Sequence, residues 1–211
     1  ILELIREKGM QYRDIALITG DLESYAPFVE SEFSQMGIPC FIDRTRGIVL
    51  NPMTEYITSA LQLFIKDFSY EAVFHYLRSG LSDITLQEAD ELENYVIQTG
   101  VRGYGKWSRL FVRKTAREGE ADDIFLRLND IRERMMGQLS ALRGKKRDTV
   151  ENYVNQLYDF LVANQVQEKL VRLEKMFTEQ GDSVRAREYA QIYRLVMDLL
   201  GQIYELLGTE T

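Results

Sequence analysis

The sequence predicts a mostly α-helical chain that opens with a small α/β part. Three observations carry that expectation. Between Tyr12 and Asp43 an apolar run, an amphipathic segment closed by a glycine and a second apolar run follow one another closely. From about Asn51 onward, apolar residues recur every three or four positions. Residues that start or stop helices punctuate this second region at helix-length intervals. The expected division is a strand-helix-strand unit at residues 1–48 and an all-helical domain at residues 49–211.

Ile15 to Ile18 is short, apolar and bounded by polar residues, as a strand buried on both faces would be. A turn at Thr19, Gly20 and Asp21 leads into a segment with Tyr25, Phe28, Val29, Phe33 and Met36 on one helical face. Pro27 fits that helix only in its first turn. Gly37 ends it, and Ile38 to Ile42 reads as the returning strand of a parallel crossover unit. Pro52 then starts a helix with Ile57, Leu61, Phe64 and Ile65 on one face, and Ser69 caps another that Gly80 closes. Thr85 with Glu88 has capping-box spacing for a helix running to Gly100. Ile124, Leu128, Ile131, Met135 and Leu139 mark a long helix ended by Gly144; Asp148 with Glu151 suggests the next cap, and residues 165–180 continue helical. A break at Gly181, Asp182 and Ser183 precedes the last helix, which holds Tyr189, Ile192, Val196, Leu199, Leu200, Ile203 and Leu207.

The run DIALITGDLESYAPFVESEFSQMGIPCFID, followed by NPMTEYITSALQLFIKDFSYEAVFHYLRSGL, resembles the B subunit of the bacterial AddAB (RexAB) helicase-exonuclease, within the wider UvrD-like helicases. The likeness is strongest from Tyr12 to about Trp107, and ELENYVIQTGVRGYGKW at Glu91 to Trp107 points to the AddB (RexB) line rather than to helicases in general. Beyond Lys114 only a helical pattern is shared. The resemblance implies that residues 1–48 open a RecA-like second motor domain, 2A, and that residues 49–211 are its helical, 2B-like insertion. It also implies a parent complex that processes double-strand DNA breaks for recombinational repair, using ATP, magnesium and an iron–sulfur cluster. Its partners would be the A subunit, which carries the motor and a nuclease, and DNA. Active UvrD-like helicases place a tyrosine-arginine pair directly after the first strand, with the arginine reaching the nucleotide. Here those positions are Thr19 and Gly20, and a glycine offers no guanidinium to a phosphate or a base. The resemblance thus implies a scaffold and DNA guide, with no nucleotide contact at Gly20.

Charge and cysteine usage narrow the field. The 211 residues carry a formal charge of −7, which argues against a free-standing nucleic-acid binder. The basic residues are nevertheless clustered. VRGYGKWSRLFVRK contains Arg102, Lys106, Arg109, Arg113 and Lys114 without an acid, interleaved with Tyr104, Trp107 and Phe111. Arg143, Lys145, Lys146 and Arg147 form a second acid-free group. Such clusters suit a single DNA strand, with cations tracking the backbone and rings stacking on bases. The other reading is a solvated loop whose Trp107 and Phe111 belong to the core. Cys40 is the single cysteine, so an internal disulfide and a cysteine-built metal site are excluded, and a strand position predicts it buried. No apolar run approaches the roughly 18 residues a membrane span needs, and no signal-peptide layout appears. A cytoplasmic segment of a larger protein is expected.

Catalytic residues are not expected. Asp67, Asp83, Asp90, Glu91, Glu93, Asp122 and Asp123 fall on polar helix faces or at caps, and the lone histidine, His75, is read as a packing residue. The sequence holds no G-x-x-x-x-G-K-[ST] phosphate loop and no G-x-G-x-x-G. Two further classes stay open beside the scaffold: a segment of an active UvrD-like motor, and a helical protein-protein adaptor.

Overall fold

The computed structural model describes residues 1–42, 51–112, 121–143 and 148–210. The chain separates into two compact units, Ile1–Gly47 and Ile48–Thr211. Among the described residues there is no β-strand; the body is all-helical.

The first unit contains α1 (Leu2–Lys8), a single 3-10 turn at Tyr12–Asp14 and α2 (Leu22–Gln35). This overturns the expected strand-helix-strand start and, with it, the RecA-like opening of a second motor domain. Ile15 is extended, at φ −113° and ψ 123°, but Ile15–Ile18 and Ile38–Ile42 form no ladder. A strand exists only through a neighbour that takes its N–H and C=O groups, so an apolar run without such a neighbour is merely extended chain. Its side chains follow suit: Leu17, Ile18 and Phe41 are exposed, Ile18 by 90%. Cys40 is exposed rather than buried, for the same reason. Asp21 caps α2 by accepting from the Ser24 N–H at 3.1 Å. The Ser24 side chain and backbone both hold the Asp21 carboxyl below the usual carboxylate range. Because α2 starts at Leu22, Pro27 lies beyond the first turn and removes the bond that its nitrogen would otherwise donate to the carbonyl four residues back. Among the described residues of this unit Ala26 and Ile38 are the buried apolar ones, whereas Phe28 and Met36 face outward.

The second unit is a helical body: α3 (Pro52–Ile65), α4 (Tyr70–Leu77), α5 (Leu86–Thr99), α6 (Tyr104–Trp107), α7 (Ala121–Gln138), α8 (Val150–Ala163), α9 (Val166–Glu179) and α10 (Ser183–Leu207). The caps fall where the sequence places most of them. Asn51 and Pro52 open α3, Ser69 caps α4, Thr85 and Glu88 form a reciprocal capping box on α5, Gly100 closes α5 at φ 65°, and Asp182 caps α10. At α8 the cap is Thr149, which accepts from the Asn152 N–H, one residue past the expected Asp148.

The buried face of α3 differs from the expected one. Met53, Tyr56, Ala60 and Leu63 are buried; of the expected face, Ile57 and Phe64 are partly buried against this core, while Leu61 and Ile65 are exposed. Apolar residues surround this helix, and the face that wins is the one whose Tyr56 ring stacks on Tyr76 of α4 and Phe160 of α8, at centroid distances of 5.3 and 5.0 Å. The Tyr56 hydroxyl shares a hydrogen bond with that of Tyr76, which donates to Gln138 Oε1 at 3.0 Å. Gln138 Nε2 in turn donates to Asp83, and Asp83 pairs with Lys169 of α9 at 2.7 Å. A polar chain therefore runs from the centre of the core to its rim. His75, expected in packing, is half-exposed and pairs with Glu55.

The chain turns between α8 and α9 without glycine or proline. Gln165 takes a left-handed conformation, φ 51°, and the buried Asn164 side chain donates to the carbonyls of Phe160 and Gln138. α10 packs along α9 and α8.

Candidate nucleic-acid interface

The first basic cluster is built around α6, a single helical turn whose position is fixed from three sides. Asp67 and Phe68, which follow α3, both have left-handed backbones, at φ 43° and 51°. Such a pair in non-glycine residues is strained and persists only where neighbours impose it. Here the neighbour is the α6 entry: Asp67 Oδ1 accepts from the Tyr104 N–H at 3.0 Å, and the Phe68 ring sits edge-on to Tyr104. Gly103 makes this approach possible, because its φ is 81° and a Cβ there would lie 3.3 Å from Asp67 Oδ2.

The second anchor is Trp107, which is fully buried, with its ring edge-on to the buried Phe111. The third is α7. Asn129 Oδ1 accepts from the Phe111 N–H at 2.8 Å, Asn129 Nδ2 donates back to the Phe111 carbonyl, and Arg132 Nη1 donates to the Trp107 carbonyl at 3.1 Å. The aromatic residues of the cluster thus hold the loop, and the cations lie outside it. Arg102, Lys106 and Arg109 are exposed, with Lys106 Nζ donating to the Gly100 carbonyl at 3.3 Å. Arg113 and Lys114 lie outside the described residues.

The second cluster meets the first through Arg143, whose guanidinium lies 5.1 Å from the centroid of the Tyr104 ring. Lys145, Lys146 and Arg147 lie outside the described residues. Sequence reasoning missed Arg132, which is only 7% exposed. A signal was present: Leu128, Ile131, Arg132, Met135 and Leu139 share one helical stripe, so an arginine occupies the core register of α7. Gly20 stands in the extended stretch before α2, exposed, with no atom within 4 Å of where a side chain would begin.

The whole chain aligns with much longer proteins that share one name, the B subunit of an ATP-dependent helicase/deoxyribonuclease. That of Lachnoclostridium phytofermentans is 37% identical over 216 residues, covering all of this chain and 19% of the relative. Those of Acetivibrio thermocellus and Clostridium botulinum (strain Loch Maree) are each 38% identical, again over the whole chain and 19% of their own length. This chain belongs to the family of helicase/deoxyribonuclease B subunits. It spans about a fifth of the relatives it matches. No protein-family model matches it.

The name of these relatives speaks of ATP and of a deoxyribonuclease, so the residues present can be asked whether they fit a metal or a cofactor. Among the described residues no group of three His, Cys, Asp or Glu side chains could hold a metal ion. An iron–sulfur cluster requires several cysteine thiolates, and Cys40 alone does not fit one. Among the described residues no helix is long and apolar enough to cross a membrane.

Proposed function

We propose that this chain is a non-catalytic scaffold and DNA guide within the larger B subunit of a complex that processes double-strand DNA breaks for recombinational repair. In that reading the complex works in the cytoplasm and pairs this polypeptide with a motor-nuclease A subunit. ATP and magnesium are used elsewhere in the complex, and an iron–sulfur cluster is held by residues outside this chain. The observation that carries the guide role is the arrangement at α6: Arg102, Lys106 and Arg109 point outward from a loop whose aromatic residues are taken up in anchoring it. Such a surface tracks phosphates without reading bases. Arg113, Lys114, Lys145, Lys146 and Arg147 extend the same basic character in sequence.

The test is charge reversal. A fluorescein-labelled oligothymidylate, followed by anisotropy at low salt, should bind the chain weakly. Binding should be strongly weakened, though still measurable at the lowest salt, in Lys106→Glu/Arg109→Glu with the melting temperature unchanged. On a single strand the slope of log affinity against log salt is about −0.7 per phosphate neutralised, so removing two contacts should flatten it by about 1.4. Trp107 emission should stay constant on binding, because a buried ring cannot stack on a base. Equal binding by the reversed variant would leave α6 as packing alone.

A further inference from the structure

Arg132 and Arg143 border one cleft of about 150 Å³, together with Tyr104, Ser108, Ser140 and the aromatic side chains at the end of α3. Among the described residues no carboxylate lines this cleft, and neither arginine has an acidic partner. That is unusual for Arg132, which is more than nine-tenths buried. A guanidinium removed from water costs several kcal/mol unless an opposite charge or a full set of acceptors meets it. Its acceptors are the Trp107 carbonyl at 3.1 Å and Asn129 Oδ1 at 3.4 Å, both neutral, with the Phe111 ring 5.9 Å away. Elsewhere in the helical body basic residues do find acids: Arg78 meets Asp90 and Glu93, Arg127 meets Glu91, Arg134 meets Glu88, and Lys169 meets Asp83. Arg132 differs from the unpaired surface cations Arg102, Lys106 and Arg109 in being buried.

We infer that this cleft is a phosphate site, and that its occupant is a phosphodiester of the single strand guided over α6. The inference rests on the guide reading for its ligand, and on the uncompensated buried guanidinium for its location. Arg132 is held in place by α6 and α7 and supplies a fixed positive charge at the back. Arg143, exposed and stacked on Tyr104, closes from the front. Ser140 adds a hydroxyl donor suited to phosphate oxygens, and the Ser108 hydroxyl, which donates to the Gly105 carbonyl at 3.3 Å, becomes a second on turning from it. The volume admits a phosphate with part of its sugar and is too small for a whole nucleoside triphosphate, since pockets for drug-sized ligands begin at about 300 Å³.

Two substitutions on the cleft test this without disturbing Arg132 itself. Ser108→Asp supplies an internal carboxylate, and Arg143→Gln removes the exposed guanidinium. Both should weaken oligothymidylate binding by about tenfold, the scale of one charge-assisted contact. Arg143→Gln should also flatten the salt slope by about 0.7. Ser108→Asp should raise the melting temperature of the free chain, because the buried guanidinium gains its counter-ion; a merely packed arginine would show no loss of binding. Unchanged affinity and slope in both variants overturn the inference; weakened binding in Lys106→Glu/Arg109→Glu alone would then still uphold the guide surface. If the unaltered chain binds no oligonucleotide, yet inorganic phosphate raises its melting temperature and fails to do so in Arg143→Gln, the strand is overturned as occupant together with the guide reading.

Discussion

Replacing Tyr76 by phenylalanine removes one oxygen from the centre of the helical body and leaves every ring in place. That oxygen shares a hydrogen bond with the Tyr56 hydroxyl at 3.1 Å and donates to Gln138 Oε1 at 3.0 Å, and both tyrosines are fully buried. Burial pushes both phenols up from their ordinary range, so they stay neutral donors at any ordinary pH. Two hydrogen bonds at about 1 kcal/mol net each, with the Tyr56 hydroxyl left in a dry site, give an expected loss of about 2–3 kcal/mol. Tyr56→Phe removes only the shared bond and should cost about 1–2 kcal/mol. In the double variant no hydroxyl is stranded, so the combined cost should fall short of the sum by about 1 kcal/mol. Urea unfolding followed by Trp107 emission is the assay: Trp107 is the single tryptophan and lies in the core of the same unit. Additivity within about 0.5 kcal/mol, or a Tyr76→Phe cost below that figure, would show that the two hydroxyls are not a coupled pair.

Four more outcomes are expected. Arg78 first and Tyr70 second hold the Glu93 carboxyl below its usual range, and at Asp83 the Lys169 and Gln138 contacts outweigh the upward push of burial. Folded values lower than unfolded ones mean stability that is present above the unfolded carboxylate range, about pH 4, and is lost as pH falls through the folded values. The urea midpoint should therefore be flat from neutrality to about pH 5 and fall below about pH 4, more shallowly in Lys169→Met. Gly103→Ala forces a side chain at φ 81° against Asp67 and should lower stability by about 1–2 kcal/mol, measured by thermal melting. Asn164→Ala removes the side-chain donor from the Gln138 carbonyl, while the Phe160 carbonyl keeps the backbone N–H of residue 164, and should cost about 1–3 kcal/mol in the same assay. Hydrogen exchange should find the amides of Ala16 to Ile18 unprotected, and those of Leu128 to Met135 among the last to exchange; slow exchange at Leu17 would mean that a ladder partner does form.

The helical body was largely legible because its signals are local. Asn51 before Pro52, Ser69, the Thr85 and Glu88 pair, Gly100 and Asp182 each satisfy backbone groups within a few residues of themselves. The strand reading failed because an apolar run specifies burial and not the neighbour that makes a strand. The α3 face was only half right for a related reason: Ile57 and Phe64 do pack on the core, but Leu61 and Ile65 repeat as regularly as Tyr56, Ala60 and Leu63, and only Tyr76 and Phe160, distant in sequence, decide between them. The turn at Gln165 carries no glycine, since a side chain, that of Asn164, closes it. At the site, the basic clusters stood out in composition. The meeting of Arg143 with Tyr104, and the stranded charge on Arg132, depend on how α6 and α7 fold back on each other.

The outward-facing Leu17, Ile18, Phe28 and Phe41 bear on how the polypeptide behaves at the bench. Large apolar side chains left in water make solubility a matter of concentration, and their exposed faces offer other copies a surface to bury. A preparation should thus lose monodispersity on concentrating while its helical circular dichroism is still intact. Trimming residues 1–47 should cure the clouding and leave the melting curve of the helical body where it was. Handling losses, in other words, will track the part of the chain that contributes least to its thermal stability.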